Sequence, residues 1–138
     1  MRFTKLKGRN LVNVNISKYV IDWDRAVSKP QKTVKDFFFT YWRNHIVLEE
    51  FRIPGCLFRI DLLDASTKTI VEISPDKVHL EFNKFMHGSR NGFLKKIKAD
   101  CAKQEWGERN GFNYIELYDA DIKNISVVYL KEKFNLDL

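Results

Sequence analysis

The stretch RIDLLDASTKTIVEISPDKVH, residues 59–79, decides the fold of this chain. Two short apolar segments, residues 57–63 and Thr69–Ser74, are joined by the polar turn DASTK, which predicts a pair of antiparallel strands. Each segment carries one acid in its middle, Asp61 and Glu72. A carboxylate is costly to bury unless an opposite charge compensates it. The pair therefore indicates a site for a divalent cation.

The alternation of side chains predicts which residues of the first strand share a face. Asp61 is expected on the same face as Arg59 and Leu63, with Ile60 and Leu62 on the other. In the second strand, alternation places Ile70, Glu72 and Ser74 together, opposite Val71 and Ile73.

If Asp61 pairs near Glu72, the two carboxylates converge within bridging distance of one metal ion. Mg²⁺ prefers a few carboxylate oxygens, retained waters and substrate phosphate. The cation would activate a water, stabilise a charged transition state, or both. The alternative interpretation is two solvent-facing acids on an edge face of the sheet.

Signals on both sides of this stretch predict the remaining elements. Ser28 and the following proline indicate a helix start, Pro54-Gly55 ends a strand, and Asn110-Gly111 ends a long helix. The fold class is therefore α/β, of the α+β type, a mixed β-sheet of about four strands flanked by helices. The order is α-β-β-β-α-β-α, with helices from residue 28, over about 90–109 and over 127–134, and strands over 46–53, 57–63, 69–74 and 112–118.

Length and composition indicate one domain over residues 1–138, with residues 1–27 as an N-terminal extension packed on the core. Apolar residues make up 44% of the chain, which favours a compact globule. No run approaches the roughly 18 apolar residues of a membrane span, so a soluble, intracellular protein is expected. Cys56 and Cys101 are expected to be buried free thiols.

The charge balance favours a polyanionic partner. The chain has 24 basic and 18 acidic residues, a formal net charge of +6 and a pI near 9.3. Such a charge suits nucleic acid, through contacts with phosphates and the release of counterions. Many basic proteins bind no nucleic acid, so this observation gains weight only together with the acid pair.

The order helix, strand with Asp61, strand with Glu72, helix and strand resembles the PD-(D/E)XK nuclease superfamily. That resemblance implies a restriction-endonuclease-like core in which the paired acids bind Mg²⁺. In the superfamily a lysine two residues after the second acid helps to orient the water, but this chain has Ser74 there. The departure implies either a dead nuclease or another residue in the role of the lysine.

The spacing from Asp61 to His79, with Pro75 four residues before the histidine, resembles one branch of that superfamily. The branch contains the very-short-patch mismatch-repair endonucleases and the phage-encoded EDxHD homing endonucleases, in which a downstream histidine replaces the lysine as the general base. The resemblance covers most of residues 28–118 and extends to the segments SKPQKTVKDFF, EEFRIPG, FMHG and DCAKQEWGERNGFNYIEL.

The resemblance assigns roles residue by residue. Asp61 would be the principal metal ligand, Glu72 the second ligand, and His79 the base, whose ordinary pKa near 6.5 suits neutral pH. Asp100 would be the helix acid that supports the histidine, and Ser74 would contribute a hydroxyl or carbonyl. The alternatives are that His79 is a loop histidine without a catalytic role and that Asp100 forms an ordinary exposed ion pair on its helix.

Three acids compete for the leading acid of the motif. Glu49 and Glu50 are adjacent in a strand, so only one can face the site, and Glu50 is preferred slightly; Asp36 on the first helix is the third. A second set of residues is expected to contact the DNA backbone or the scissile phosphate, although a solvated helix face would look similar. This set consists of Arg90, Lys95, Lys96, Lys103 and His87.

The resulting expectation is a Mg²⁺-dependent endonuclease of the homing or mismatch-repair-like type, with Mn²⁺ as a substitute, acting on double-stranded DNA. The chain has little room for a DNA-reading surface, so we expect a homodimer, an additional DNA-binding domain, or a small phage nuclease of low sequence specificity. If the source is a phage, the location would be the host cytoplasm. The alternatives are a catalytically inactive nucleic-acid-binding protein on the same fold, a structural or partner-binding protein, and a junction resolvase.

Overall fold

A computed structural model describes residues 1–75 and 90–138, with the side chains of residues 90–93 and 96 left out. The strands are β1 Arg2–Thr4, β2 Leu11–Asn13, β3 Val47–Arg52, β4 Arg59–Asp64, β5 Thr69–Ser74 and β6 Asn113–Tyr118. The helices are α1 Lys29–Trp42, α2 Arg90–Arg109, α3 Asp119–Lys123 and α4 Val127–Phe134, with a 3₁₀ turn at Ile16–Tyr19. The predicted α+β class with a four-stranded mixed sheet is confirmed.

The sheet has the order β3-β4-β5-β6, and the short pair β1-β2 stands apart from it. β4 pairs antiparallel with β3 and with β5, and the second of these pairings is the one that the turn DASTK predicts. β6 pairs parallel to β5, with Glu72 directly beside Glu116. The parallel pair follows from the long connection, which contains α2.

Local signals at the helix ends behave as the sequence predicts. The Ser28 hydroxyl accepts a hydrogen bond from the Gln31 amide and caps α1. The Gln31 side chain accepts from the Val27 amide, one residue before the cap. After α2, Gly111 adopts φ +75°, the left-handed conformation that glycine permits without strain.

The core has two halves, one on each face of the sheet. On one face, α1 packs Val34, Phe38 and Trp42 against Leu62 and Val71, and α3 and α4 complete that half. On the other face, Trp106 of α2 and Phe3 of β1 pack with Phe51, Ile60 and Leu63. The contact with Phe3 attaches the N-terminal segment to the second half of the core.

Two predicted faces are wrong. Ile60 lies in the same half of the core as Leu63, not on the face of Leu62, and this break in alternation lies opposite Glu50, whose φ is +49°. Cys101 of α2, expected to be buried, is exposed, and so is Ile97 one turn earlier, because the helix turns Trp106 toward the sheet instead.

Lys35 of α1 is only 1% exposed, although a lysine on an amphipathic helix usually lies on the polar face. Cys56 is partly buried. Among the residues described, no helix is long and apolar enough to cross a membrane.

Candidate active site

Asp61 and Glu72 meet where the ladder between β4 and β5 ends. The last paired residues are Leu62 and Val71, so the next pair in the same register is Asp61 with Glu72. Each carboxyl reaches the backbone of the other strand: Glu72 Oε1 accepts from the Asp61 amide at 3.3 Å, and Asp61 Oδ2 accepts from the Ile73 amide at 2.8 Å. These two side-chain bonds take the place of ladder bonds and fix both carboxyls.

The Glu72 carboxyl holds its proton to an unusually high pH. Burial raises its pKa well above the ordinary value, and the negative charge of Asp61 and a hydrogen bond between the two carboxyls raise it further. Lys103 and the Asp61 amide act in the opposite direction. Two carboxylates in contact repel each other, so both can ionise only at a cost in free energy. The pair therefore holds a proton or requires a cation.

Lys103 on α2 is the cation that the structure brings to this pair. Its Nζ lies 3.4 Å from Glu72 Oε2, and its side chain is 17% exposed. The helix places it there because Trp106 and Gly107, three and four residues later, lie buried against the sheet. A Cβ added at Gly107 would come within 3.0 Å of Ile70 Cδ1, so the helix approaches the sheet closely at this point.

Two more acids extend the pair into a row across the whole sheet. Glu116 is the register partner of Glu72 on β6. On the other side, Glu50 stands between the pairs Glu49–Leu62 and Phe51–Ile60, opposite Asp61. We call Glu50, Asp61, Glu72 and Glu116 the acid row.

Glu50 is the exposed end of the acid row. Desolvation and the charge of Asp61 raise the pKa of its carboxyl, whereas Arg59 lowers it. Its φ of +49° is uncommon for a residue with a side chain, and such conformations cluster at functional sites.

A buried tyrosine lies among these acids. Burial raises the pKa of the Tyr114 hydroxyl, and so do the charges of Glu72, Glu116, Asp100 and Asp61, in that order. Its oxygen is buried, and in the described part of the chain it has no hydrogen-bond partner. The charges of Asp100 and Glu116 therefore act on the same buried hydroxyl as the charges of the pair.

The two candidate glutamates of β3 face opposite sides. Glu49 turns toward α1, where its Oε1 accepts from Lys35 Nζ at 2.8 Å and its Oε2 accepts from the Asp22 amide at 2.7 Å. Glu50 turns toward Asp61. Asp36 lies exposed on α1 in an ion pair with Lys32.

The donor set at the pair suits a hard divalent cation. Mg²⁺ is usually held by one or two carboxylates and several waters, and Asp61 and Glu72 supply two carboxylates that contact each other. Because a cation binds the ionised carboxylates, its binding would compete with protonation of Glu72. Within residues 1–75 and 90–138, no group of three His, Cys, Asp or Glu side chains is close enough to hold a metal by itself. Waters or substrate oxygens would complete the shell.

The other predicted site residues fall into three groups. His79 and His87 lie outside the described residues, as do the side chains of Arg90 and Lys96. Lys95 is exposed on α2. Ser74, at the position of the missing lysine, donates a hydrogen bond to Glu116 Oε1 at 2.9 Å.

Sequence reasoning missed Glu116 and Tyr114, and it assigned Lys103 to DNA contacts alone. Glu116 carries a signal that was available, since YIELY repeats the acid-in-apolar-strand pattern of TIVEIS. Lys103 carries no such signal, because its position depends on the rotation of α2. No family model, curated protein or solved structure matches this chain.

Proposed function

We propose that this protein is a metal-dependent endonuclease that hydrolyses phosphodiester bonds in double-stranded DNA. The observation that carries the proposal is the acid row, in which Asp61 contacts Glu72 and the Lys103 ammonium lies over the pair. A structural ion pair needs one acid and one base. The acids of the row lie in register on adjacent strands, and at the pair one lysine, Lys103, serves two carboxyls, so a divalent cation would neutralise charge there.

Asp61 and Glu72 would hold the cation, Mg²⁺ or in its place Mn²⁺, and the backbone amides of Asp61 and Ile73 keep the two carboxyls aimed. When bound, the cation would supply Lewis-acid stabilisation of the charge that develops on the phosphoryl oxygens. Glu50 lies beside the pair and can accept a proton from an attacking water, because its raised pKa makes it a better base.

Lys103 would supply the positive charge that a lysine two residues after Glu72 would provide, since this chain has Ser74 at that position. Its ammonium holds Glu72 by an ion pair and would attract a phosphate group that enters the site. The helix, rather than the strand, would thus carry the lysine. A restriction-endonuclease-like core, a homing or mismatch-repair-like type, a homodimer and an intracellular location belong to the same proposal.

The test is cleavage of supercoiled plasmid and linear duplex at low salt with Mg²⁺, with Mn²⁺ and with EDTA. Asp61→Asn removes one charge of the pair at nearly constant shape, and Asp36→Asn removes an exposed, paired carboxylate on α1 as its control. We expect metal-dependent nicking that falls at least about 100-fold in Asp61→Asn, the scale for losing one charge-stabilising group. Asp36→Asn should cleave like wild type.

Two further variants examine the positive charge and the base. Lys103→Met should lower cleavage, whereas Lys123→Met, which removes an exposed lysine paired with Asp119, should not. His79→Ala tests the base that the resemblance assigns. Mn²⁺ binding, measured by electron paramagnetic resonance, gives a readout besides activity. DNA binding without cleavage under any metal would contradict the nuclease and favour a catalytically inactive nucleic-acid-binding protein.

A further inference from the structure

A cleft of about 730 Å³ opens beside the exposed end of the acid row. Its walls are the N-terminal segment around residues 18–27, the start of α1, and the ends of β3 and β4. The cleft is lined by four cationic side chains: Lys18, Arg25, Arg52 and Arg59. Their number makes it a candidate anion site distinct from the contact of Asp61 with Glu72.

Three acids, Asp22, Glu49 and Glu50, also line the cleft, so they offset its four cations only in part. The charge of Arg59 acts to lower the pKa of the Glu50 carboxyl. One carboxylate oxygen of Glu49 accepts a hydrogen bond from the buried Lys35 ammonium, and the other accepts one from the Asp22 amide. Within residues 1–75 and 90–138, no carboxylate lies within ion-pair distance of Arg25, Arg52 or Arg59. As far as the described residues show, these three guanidinium groups hold no salt bridge, and each can bind an external anion.

Two of the arginines repel each other. Arg52 and Arg59 are direct partners across β3 and β4, and like charges in that position destabilise a sheet. The Arg52 Nε donates to the Cys56 carbonyl at 3.0 Å, which orients the group without neutralising it. An anion between the two strands would remove the repulsion, and the planar fork of arginine matches phosphate oxygens.

Lys35 keeps the opposite wall of the cleft in place. Its buried ammonium donates to the carbonyls of Asp22 and Arg25 as well as to Glu49, so it ties the segment that carries Arg25 to both α1 and β3. The wall is thus fixed before any ligand arrives. Preorganised cations lose less entropy when they bind phosphate.

The cleft and the acid row share one residue. Glu50 lines the cleft, and its carboxyl responds to the charges of both Asp61 and Arg59. A strand that lay along the four cations would therefore continue past Glu50 to the contact of Asp61 with Glu72.

We propose that this cleft binds the phosphodiester backbone of the DNA strand next to the bond that is cleaved. The proposal rests on the proposed function for the identity of the polyanion and for the order of the two sites. Arg25 and Arg59 contact the phosphates from opposite walls of the cleft. The cleft carries affinity without reading sequence, since phosphate contacts position the DNA and base contacts specify it.

The test separates binding from cleavage. Binding of a labelled duplex is followed by fluorescence anisotropy in EDTA over a series of salt concentrations, for wild type, Arg25→Gln and Arg59→Gln. We expect each substitution to weaken binding equally for unrelated sequences and to lower the slope of log K against log salt by about 1. Arg43→Gln is the matched control, because Arg43 is exposed beyond the far end of α1, roughly 18 Å along the axis from Gln31.

The two proposals can fail separately. If wild type binds duplex and both cleft variants lose affinity while no metal supports cleavage, the cleft stands as a DNA-binding site, and only its place beside a cleaved bond falls with the proposed function. If wild type cleaves DNA but Arg25→Gln and Arg59→Gln bind like Arg43→Gln, the cleft proposal is overturned and the nuclease remains. A wild-type protein that binds no duplex also overturns the cleft proposal. Unchanged thermal unfolding of the variants shows that a loss of affinity is not a loss of folding.

Discussion

The two faces of the sheet hold their acids in opposite ways. On the α1 face, both oxygens of Glu49 accept hydrogen bonds, one of them from Lys35, which is 1% exposed. Nearby, burial alone would raise the pKa of Asp121, but hydrogen bonds from Lys133, Tyr129 and the Tyr118 amide lower it.

On the α2 face, Asp61 and Glu72 contact each other, and one partly exposed lysine serves them. Burial and the charge of Asp61 raise the pKa of Glu72 there. The first face satisfies its carboxylates and gains stability from them. The second places a buried glutamate beside another acid, so that ionising both costs stability, and a bound cation would remove that cost. The difference distinguishes a structural ion pair from a candidate metal site.

The largest expected effect comes from removing a hydrogen-bond donor on the α1 face of the sheet. Lys35→Met leaves Glu49 and two backbone carbonyls without their donor in a buried place. We expect the free energy of unfolding to fall by about 3–5 kcal/mol, as when one partner of a buried pair is removed. Urea unfolding followed by tryptophan fluorescence measures it.

The control for that substitution lies on the same helix. Lys32→Met removes an exposed lysine that pairs with Asp36, and such pairs contribute a few tenths of a kcal/mol. Equal effects of the two substitutions would show that Lys35 is not the centre of a buried network.

A smaller effect of opposite sign is expected on the other face. Glu72→Gln puts a neutral side chain beside Asp61, so the folded chain no longer bears the cost of taking up a proton or of ionising both acids, and it keeps the acceptor for the Asp61 amide. In EDTA at neutral pH we therefore expect a higher melting temperature together with a loss of metal-dependent cleavage. Calorimetry and the plasmid assay measure the two quantities.

The matched variant is Glu105→Gln, an exposed glutamate on α2, which should change neither quantity. A lower melting temperature for Glu72→Gln would assign Glu72 to structure and would weaken the comparison between the faces.

The smallest effect is a dependence of stability on pH. Since the pKa of Glu72 is raised from 4.5 in the folded chain, the folded state binds more protons than the unfolded state above pH 4.5. The free energy of unfolding should then fall as pH rises from 4.5 through the raised pKa. The lowered pKa of Asp121 acts in the other direction, with stability that is present above 3.8 and lost as pH falls through the lowered value.

Urea unfolding at a series of pH values in EDTA measures this dependence. Mg²⁺ should reduce the fall above pH 4.5, because the cation takes the place of the proton and binds only the folded chain. The Glu72→Gln variant should lack most of the fall. A wild-type curve that rises throughout that range would contradict the raised pKa of Glu72.

Local patterns predicted much of the fold correctly. The strand Thr69–Ser74 and the helices Arg90–Arg109 and Val127–Phe134 have the predicted bounds, and Ser28 caps α1. These elements depend on alternation, helix caps and turn residues, which act over a few positions. The pairing of the strands that carry Asp61 and Glu72 was predictable for the same reason, because a short polar turn permits little else.

The errors share a different cause. Lys35 and Lys103 look alike in sequence, as lysines on amphipathic helices, yet one is buried against Glu49 and the other lies on Glu72. Ile97 and Cys101 look like a packed stripe and are exposed. In each case the rotation of a helix about its axis decides the outcome, and the periodicity of a mixed helix fixes that rotation poorly.

By itself the sequence determined the strands, the helix ends and the presence of one acid in each of two neighbouring strands, since these depend on neighbours along the chain. Only the tertiary structure decided that Glu50 rather than Glu49 lies beside Asp61, that Glu116 completes the acid row, and that Lys103 reaches Glu72. The physical reason is that packing between elements distant in sequence sets strand register and helix rotation. Packing thus positions the backbone, and the backbone positions the charged side chains.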